Sequence, residues 1–135
     1  MASSNPRGES ASGPDAAERA PVGEPSFNTV LGLTAGAAGE VVLDTRPEHQ
    51  VAPGTIHFAI LATVGEVAAA GAVGAPVVPA AISLNLLSRA QPGRLVGRGR
   101  LLRRGRTLAV AEGDVLQDGR LVAKVSVTFA LLPSG

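Results

Sequence analysis

Gly54-Thr55-Ile56-His57-Phe58-Ala59-Ile60-Leu61-Ala62-Thr63-Val64-Gly65-Glu66-Val67-Ala68-Ala69-Ala70 is the stretch whose reading decides the fold. It is almost wholly apolar and rich in alanine, it follows a Pro53-Gly54 break, and it carries one carboxylate, Glu66, near its middle. The pattern predicts a long helix over 54–74, with Thr55 as N-cap and Gly71 to Pro76 closing it. A lone acid among alanines and valines is costly to bury unless a raised pKa or a poised charge is put to use. A membrane span is the competing reading of so apolar a helix. A charged residue near the centre of a bilayer helix costs about 2.5–3.5 kcal/mol on insertion scales. A small-residue helix wrapped closely by its own sheet fits better, and no membrane association is expected.

Outward from the helix, the pattern changes period. Ser26–Leu33 and Glu40–Arg46 read as two short strands around a Gly-Ala turn. After Pro76 the apolar period is two, and Val78, Ala80, Ile82, Leu84 and Leu86 share one strand face. Leu95, Gly97, Gly99 and Leu101 share the next, with Arg94, Arg98 and Arg100 opposite. Glycines on the apolar face would let a helix backbone approach closely. Thr107–Leu116 follows, and Asp118-Gly119 is a strong hairpin signal. The last strand alternates, with Leu121, Ala123, Val125, Val127 and Phe129 inward and Val122 among the outward residues. The order β-β-α-β-β-β-β predicts an α+β chain, an antiparallel sheet wrapped around one long central helix, which is the hotdog architecture.

Composition narrows the classes of function. The chain has 135 residues and a formal net charge of +1, which gives no mandate for nucleic acid. It contains no cysteine and two histidines, so thiolate chemistry is excluded and a His-rich metal site is not expected. Residues 1–25 are rich in Ser, Gly, Pro and charge without apolar periodicity, and read as a disordered N-terminal tail without a signal peptide. Residues 26–135 read as one domain, and a cytoplasmic protein is the default.

The residues that carry chemistry also carry a resemblance. Glu48-His49, then Gly54-Thr55-Ile56-His57, then an acid nine residues after the histidine, resembles the hotdog acyl-CoA thioesterases of the phenylacetate-degradation and acyl-CoA thioesterase 13 type. Arg103-Arg104-Gly105-Arg106-Thr107-Leu108-Ala109, Asp118-Gly119-Arg120-Leu121-Val122-Ala123 and Thr128-Phe129 continue it, so that it covers roughly 27–132. The resemblance implies hydrolysis of an acyl-CoA thioester to free acid and CoA, with no metal or redox cofactor. It implies a carbonyl polarised by the backbone N–H of Phe58 at the helix start, and Glu66 as nucleophile or general base. Free N–H groups and the positive end of the macrodipole suit that division. Phe58 and Glu66 lie about 12 Å apart along one helix, at 1.5 Å per residue. One thioester cannot touch both, so a homodimer or homotetramer with shared active sites is expected.

Three positions depart from the family pattern. His-Gly-Gly is His57-Phe58-Ala59 here, Val51 stands where many relatives carry Asn, and the downstream Ser or Thr is replaced near Pro79. His57 reads equally as a capping residue and as part of the catalytic set. His49, Gln50 and Gly54 are expected to line the substrate entrance. Arg103, Arg104 and Arg106 are candidates for CoA phosphates, and Arg94, Arg98 and Arg100 for a solvated or subunit-contact face. The rival readings are a non-catalytic acyl-CoA binding or sensing module and, below it, a hotdog hydratase-dehydratase.

Overall fold

The structure, a computed structural model, describes residues 26–133. The segment expected to be a disordered tail lies outside the described residues. The chain divides into two units, one ending at Leu33 and the other spanning Thr34–Ser134.

In the first unit the expected strand at Ser26–Leu33 is instead a short helix, α1, Phe27–Leu31. Its apolar residues Phe27, Val30 and Leu31 stand at helical spacing, and local capping fixes both ends. The Ser26 hydroxyl accepts the Thr29 N–H at 3.3 Å. Gly32, at φ 103°, stops the helix in the left-handed region, and its N–H and that of Leu33 return to the Asn28 carbonyl.

The second unit holds a six-stranded antiparallel sheet and one long helix. Its strands are β1 Thr34–Ala35, β2 Val41–Asp44, β5 Val77–Leu86, β6 Arg94–Arg104, β7 Leu108–Gln117 and β8 Arg120–Leu131. They run in the order β1-β2-β6-β7-β8-β5, which leaves β5 at one edge. The Asp118-Gly119 turn joins β7 to β8 with both residues at positive φ, 52° and 77°, as the hairpin signal requires. A separate two-stranded hairpin, β3 Gln50–Ala52 and β4 Thr55–Ile56, precedes the helix. Pro53-Gly54 is therefore the turn of that hairpin rather than the helix opening, and Gly54 takes φ 80° there.

The helix, α2, runs Phe58–Val73, and its N-cap is His57, not Thr55, which lies in β4. It packs on β6, β7 and β8. Its contact is backbone against backbone. A Cβ added at Gly99 would collide with the Ala68 carbonyl, and one at Gly113 with the Gly65 carbonyl. Gly97 meets Val64 in the same way, so Gly97 and Gly99 hold the helix close as expected, and Gly113 joins them. Around this contact Ala69, Val73, Ala109, Ala111, Val125, Val127 and Phe129 form the core.

Three bulges shift faces that simple alternation misplaces. One in β5 sets Pro79 opposite Phe129 but Ala81 opposite Thr128, so Ala80 is the extra residue and Val78 leaves the face that holds Ile82, Leu84 and Leu86. Another near Leu116 leaves Val122 unmatched and fully buried, against the outward place that alternation gives it. The third, at Leu102, sets Arg104 opposite the buried Ala109.

The wrap around α2 is one-sided within a single chain. Ile60, Leu61, Val64, Gly65, Ala68, Ala69 and Val73 are buried, while Ala59 and Gly71 are exposed and Ala62, Thr63, Glu66, Val67 and Ala70 only partly covered. No helix among the described residues is long and apolar enough to cross a membrane.

Candidate active site

The start of α2 is built by two histidines. His49 ends a short 3-10 turn, Pro47–His49, and is buried, with 4% exposed. Its Nδ1 accepts the Arg46 N–H at 3.0 Å and its carbonyl accepts the His57 N–H at 2.9 Å. Burial, with the nearby Arg46 charge second, holds the His49 imidazole below its ordinary pKa. The neutral ring with its proton on Nε2 is the tautomer that lets Nδ1 accept. His49 thus acts as a strut behind the helix start. Gln50 is likewise occupied by the hairpin. Its Oε1 accepts the Gly54 N–H at 2.7 Å and its Nε2 donates to the Pro47 carbonyl at 3.3 Å.

His57 caps α2 through its ring. Nδ1 accepts the Ala59 N–H at 2.9 Å, and the His57 carbonyl accepts the Ile60 N–H at 3.0 Å. Those bonds satisfy the second and third amides of the helix. The first, that of Phe58, points from the positive end of the macrodipole with no partner among the described residues. The Phe58 ring stacks on the His57 ring, centroids 4.6 Å apart, and stays 55% exposed. Beside it opens a pocket of about 280 Å³ whose walls include Thr55, Leu61, Leu86, Leu87 and Arg89. The pocket is not legible in the sequence, because it joins the helix start to the end of β5, some thirty residues on.

Glu66 stands on the uncovered side of α2, partly buried, with no hydrogen bond or ion pair among the described residues. Burial alone pushes its carboxyl above the ordinary value. Thr63, one turn earlier, is the other polar side chain of this helix, and its Oγ1 donates to the Ala59 carbonyl at 2.8 Å. In the sequence Thr63 does not stand out, since a threonine within a helix looks ordinary.

The arginines separate into two groups. Arg94 pairs with Asp44 at 2.8 Å, Arg98 with Glu40 at 2.7 Å and Arg100 with Glu112, all on the solvated face. Arg104, itself exposed, is set by the β6 bulge on the side that faces α2, and its guanidinium donates to the Val73 carbonyl at 3.1 Å, where a cation suits the negative helix end. Arg103 and Arg106 flank it and are exposed as well. The structure brings His49, Gln50, Gly54, His57 and Phe58 together at one end of α2, and Arg103, Arg104 and Arg106 at the other. Glu66 lies between. No group of acidic and histidine side chains suited to a metal occurs among the described residues.

An antiparallel sheet packed on one long glycine-seated helix is the hotdog fold, and solved structures agree. A phenylacetic acid degradation-related protein of Ralstonia eutropha JMP134 superposes with a TM-score of 0.71 at 29% identity, over 80% of this chain and 92% of that one. A mutant of the phenylacetic acid degradation protein of Thermus thermophilus gives 0.70 at 27%, over 78% and 98%. A Bacillus halodurans protein solved with CoA gives 0.70 at 19%, over 78% and 75%, which shows the fold alone. No curated protein matches the chain. The family model for the acyl-CoA thioesterase N-terminal domain matches residues 46–130. The chain belongs to that acyl-CoA thioesterase family.

Proposed function

We propose that the protein hydrolyses an acyl-CoA thioester to the free acid and CoA, with each active centre built from two copies of the chain. The observation that carries this reading is Glu66. It is a carboxylate with a raised pKa and no partner among the described residues, held on the side of α2 that its own sheet leaves only partly covered. A structural acid would be expected to have a partner, whereas a catalytic one is tuned by its surroundings toward the working pH. The Phe58 N–H, without a partner among the described residues, supplies the complementary half, a fixed dipole for the oxygen that becomes negative as the thioester carbon turns tetrahedral.

The two halves lie about 12 Å apart within one chain, and a second chain removes the gap. The free edge of β5 and the apolar open side of α2 favour a two-fold pairing in which each Glu66 faces the other copy's Phe58 amide. In that arrangement the C-terminal end of one α2, with Arg103, Arg104 and Arg106, runs past the helix start of the other. Arg103 and Arg106 then suit the CoA phosphates, as does the part of the Arg104 guanidinium not bound to Val73. The CoA held by the Bacillus halodurans neighbour supports CoA as the leaving group. His49, Gln50 and Gly54 support the entrance through the hairpin, and His57 fixes the amide that polarises the carbonyl.

Thiol release from acyl-CoAs ranging from short aliphatic to aryl tests the reading. Phe58→Pro removes the polarising N–H and Glu66→Ala the acid, so each variant alone should be inactive. Mixed and allowed to exchange subunits, the two should regain activity, because a hybrid dimer rebuilds one intact site. Folded, exchange-competent variants that stay inactive together would place the site within one chain. Acyl-CoA binding with no thiol release by the wild type would favour a sensing module.

A further inference from the structure

We propose that Arg89, with the Ser88 hydroxyl beside it, is the specificity-determining group of the pocket at the start of α2, and that the acyl group it selects is short and ends in a carboxylate. The inference deepens the hydrolytic reading above and rests on it. The pocket, of about 280 Å³, has a buried apolar floor of Ile56, Leu61 and Ala90. Its exposed sides are the Phe58 ring, Leu86 and Leu87. Methylene groups suit those surfaces. Arg89 is the one charged side chain of the lining, and no acidic side chain joins it there among the described residues.

Arg89 differs from the arginines whose charge is already answered. Arg46, Arg94, Arg98 and Arg100 each hold a carboxylate in an ion pair. The Arg89 side chain has neither ion pair nor hydrogen bond among the described residues. Arg103 and Arg106 stand at the opposite end of α2, where the reading above places the CoA phosphates. Ser88 is prepared for an anion as well. Its Oγ accepts a bond from the Arg120 guanidinium at 2.5 Å, which leaves the hydroxyl hydrogen to be donated elsewhere. A carboxylate in the pocket can take two N–H bonds from the Arg89 fork and one O–H bond from Ser88, with the Arg120 charge behind them.

The backbone holds this group in place. The Ser88 N–H donates to the Val122 carbonyl at 3.2 Å, the Ala90 carbonyl accepts the Ile56 N–H at 2.9 Å, and Arg89 lies between those anchors. The buried Gln117 side chain then grips Gln91, accepting its N–H at 2.9 Å and donating to its carbonyl at 2.7 Å. Ile56 is two residues before Phe58, so Arg89 and the polarising amide belong to one hydrogen-bonded frame. An acyl chain that starts at that amide need cross only the apolar lining to bring its far end to Arg89. The contact is a charge pair on a solvated rim, so it selects among acyl groups rather than driving the chemistry.

The test is a ratio: kcat/KM for a carboxyl-ended acyl-CoA over that for its plain counterpart of equal chain length. Succinyl-CoA against butyryl-CoA, glutaryl-CoA against valeryl-CoA and adipoyl-CoA against hexanoyl-CoA supply it. CoA is common to both members of a pair, so effects on its phosphates cancel. The wild type should favour the carboxylate member of at least one pair by about 10-fold or more, the scale of one charge-assisted contact. Arg89→Leu should erase that preference and Arg89→Glu should reverse it. Arg89→Lys should keep part of it, because the charge stays while the fork is lost. Ser88→Ala should reduce it by a smaller factor. A wild type that favours the carboxylate member of no pair overturns the inference. So does a preference that survives Arg89→Leu, or a loss in that variant that falls equally on both members, which would assign Arg89 to CoA or to a subunit contact. If the wild type releases no thiol from any of these, the hydrolytic reading falls by itself. Calorimetric binding of the same pairs to wild type and Arg89→Leu then decides this one, and binding without an Arg89-dependent preference overturns it.

Discussion

The two sides of α2 are made from nearly the same residues, yet one is fixed by the sheet and the other is left open. The sheet side has Val64, Gly65 and Ala68 pressed onto β6 and β7 so closely that strand glycines are required beneath them. The open side has Ala59, Ala62, Thr63 and Glu66, mostly small as well, but exposed or only partly covered. Small residues therefore serve two ends. On one side they allow backbone to seat on backbone, which holds the helix rigid. On the other they leave room around a carboxylate whose pKa depends on how little water reaches it. The rigid side fixes where the open side, the proposed reactive one, points.

The sharpest way to break this comparison is to add one carbon under the seated side. A methyl at Gly99 or Gly113 would meet a helix carbonyl, which has no rotamer through which to give way. Overpacking a core with a flexible neighbour typically costs about 1–3 kcal/mol, and a backbone collision should exceed that. Gly99→Ala and Gly113→Ala are expected to lose cooperative unfolding or to melt far below the wild type by circular dichroism. Gly65→Ala differs in kind, because its methyl meets mainly the Val125 side chain. The double variant Gly65→Ala, Val125→Ala should therefore recover stability lost in the single one. If all four variants melt alike, the glycines do not seat the helix.

On the open side, Glu66→Gln separates chemistry from stability. Thiol release should fall by about 10² or more, the range for removing a positioned base. Stability should move the other way as pH rises. The folded-state pKa of Glu66 is raised by burial, so its favourable contribution is complete below the unfolded value and is lost as pH climbs through the folded one. Melting curves from about pH 4 to pH 8 should show the variant gaining on the wild type toward the alkaline end. A variant that loses ground there would mean that Glu66 is held by an ion pair, and that the acid is structural.

Legibility in the sequence follows the same division. Elements fixed by local chemistry or by strict period can be read: Asp118-Gly119 as a hairpin, the inward row of Val125, Val127 and Phe129, and the paired Gly97 and Gly99 beneath a helix. The bulges at Ala80, Leu102 and Val122 cannot, because each depends on how a strand fits its neighbour rather than on its own pattern. The start of α2 reads too early in the sequence because Pro-Gly opens hairpins as readily as helices. Ser26 and Gly32 carry the cap signals of α1, and with Phe27, Val30 and Leu31 at helical spacing between them the helix is legible, but five residues are too few for the period to stand out. At the site, Glu66 and Phe58 stand out as chemical oddities. Thr63 does not, because a threonine within a helix looks ordinary until its hydroxyl is seen bound to the preceding turn.

The smallest expected effect lies at a glycine on the open side, and it sharpens the contrast with Gly99. Gly71 sits in the last turns of α2, exposed, and a Cβ there would meet no heavy atom within 4 Å. Its φ is not positive, so alanine suits the backbone as it stands. Glycine inside a helix is worse than alanine by roughly 0.5–1 kcal/mol, because the unfolded chain has more freedom to lose. Gly71→Ala should therefore raise the melting temperature by a few degrees at low protein concentration, where one chain's own packing is measured. At higher concentration the same methyl becomes a probe of the proposed pairing. If a second copy packs against this end of α2, the gain should shrink or reverse as the chains associate. A constant gain at every concentration would mean that Gly71 lies clear of the contact, and would confine the interface to the turns around Glu66 and the edge of β5.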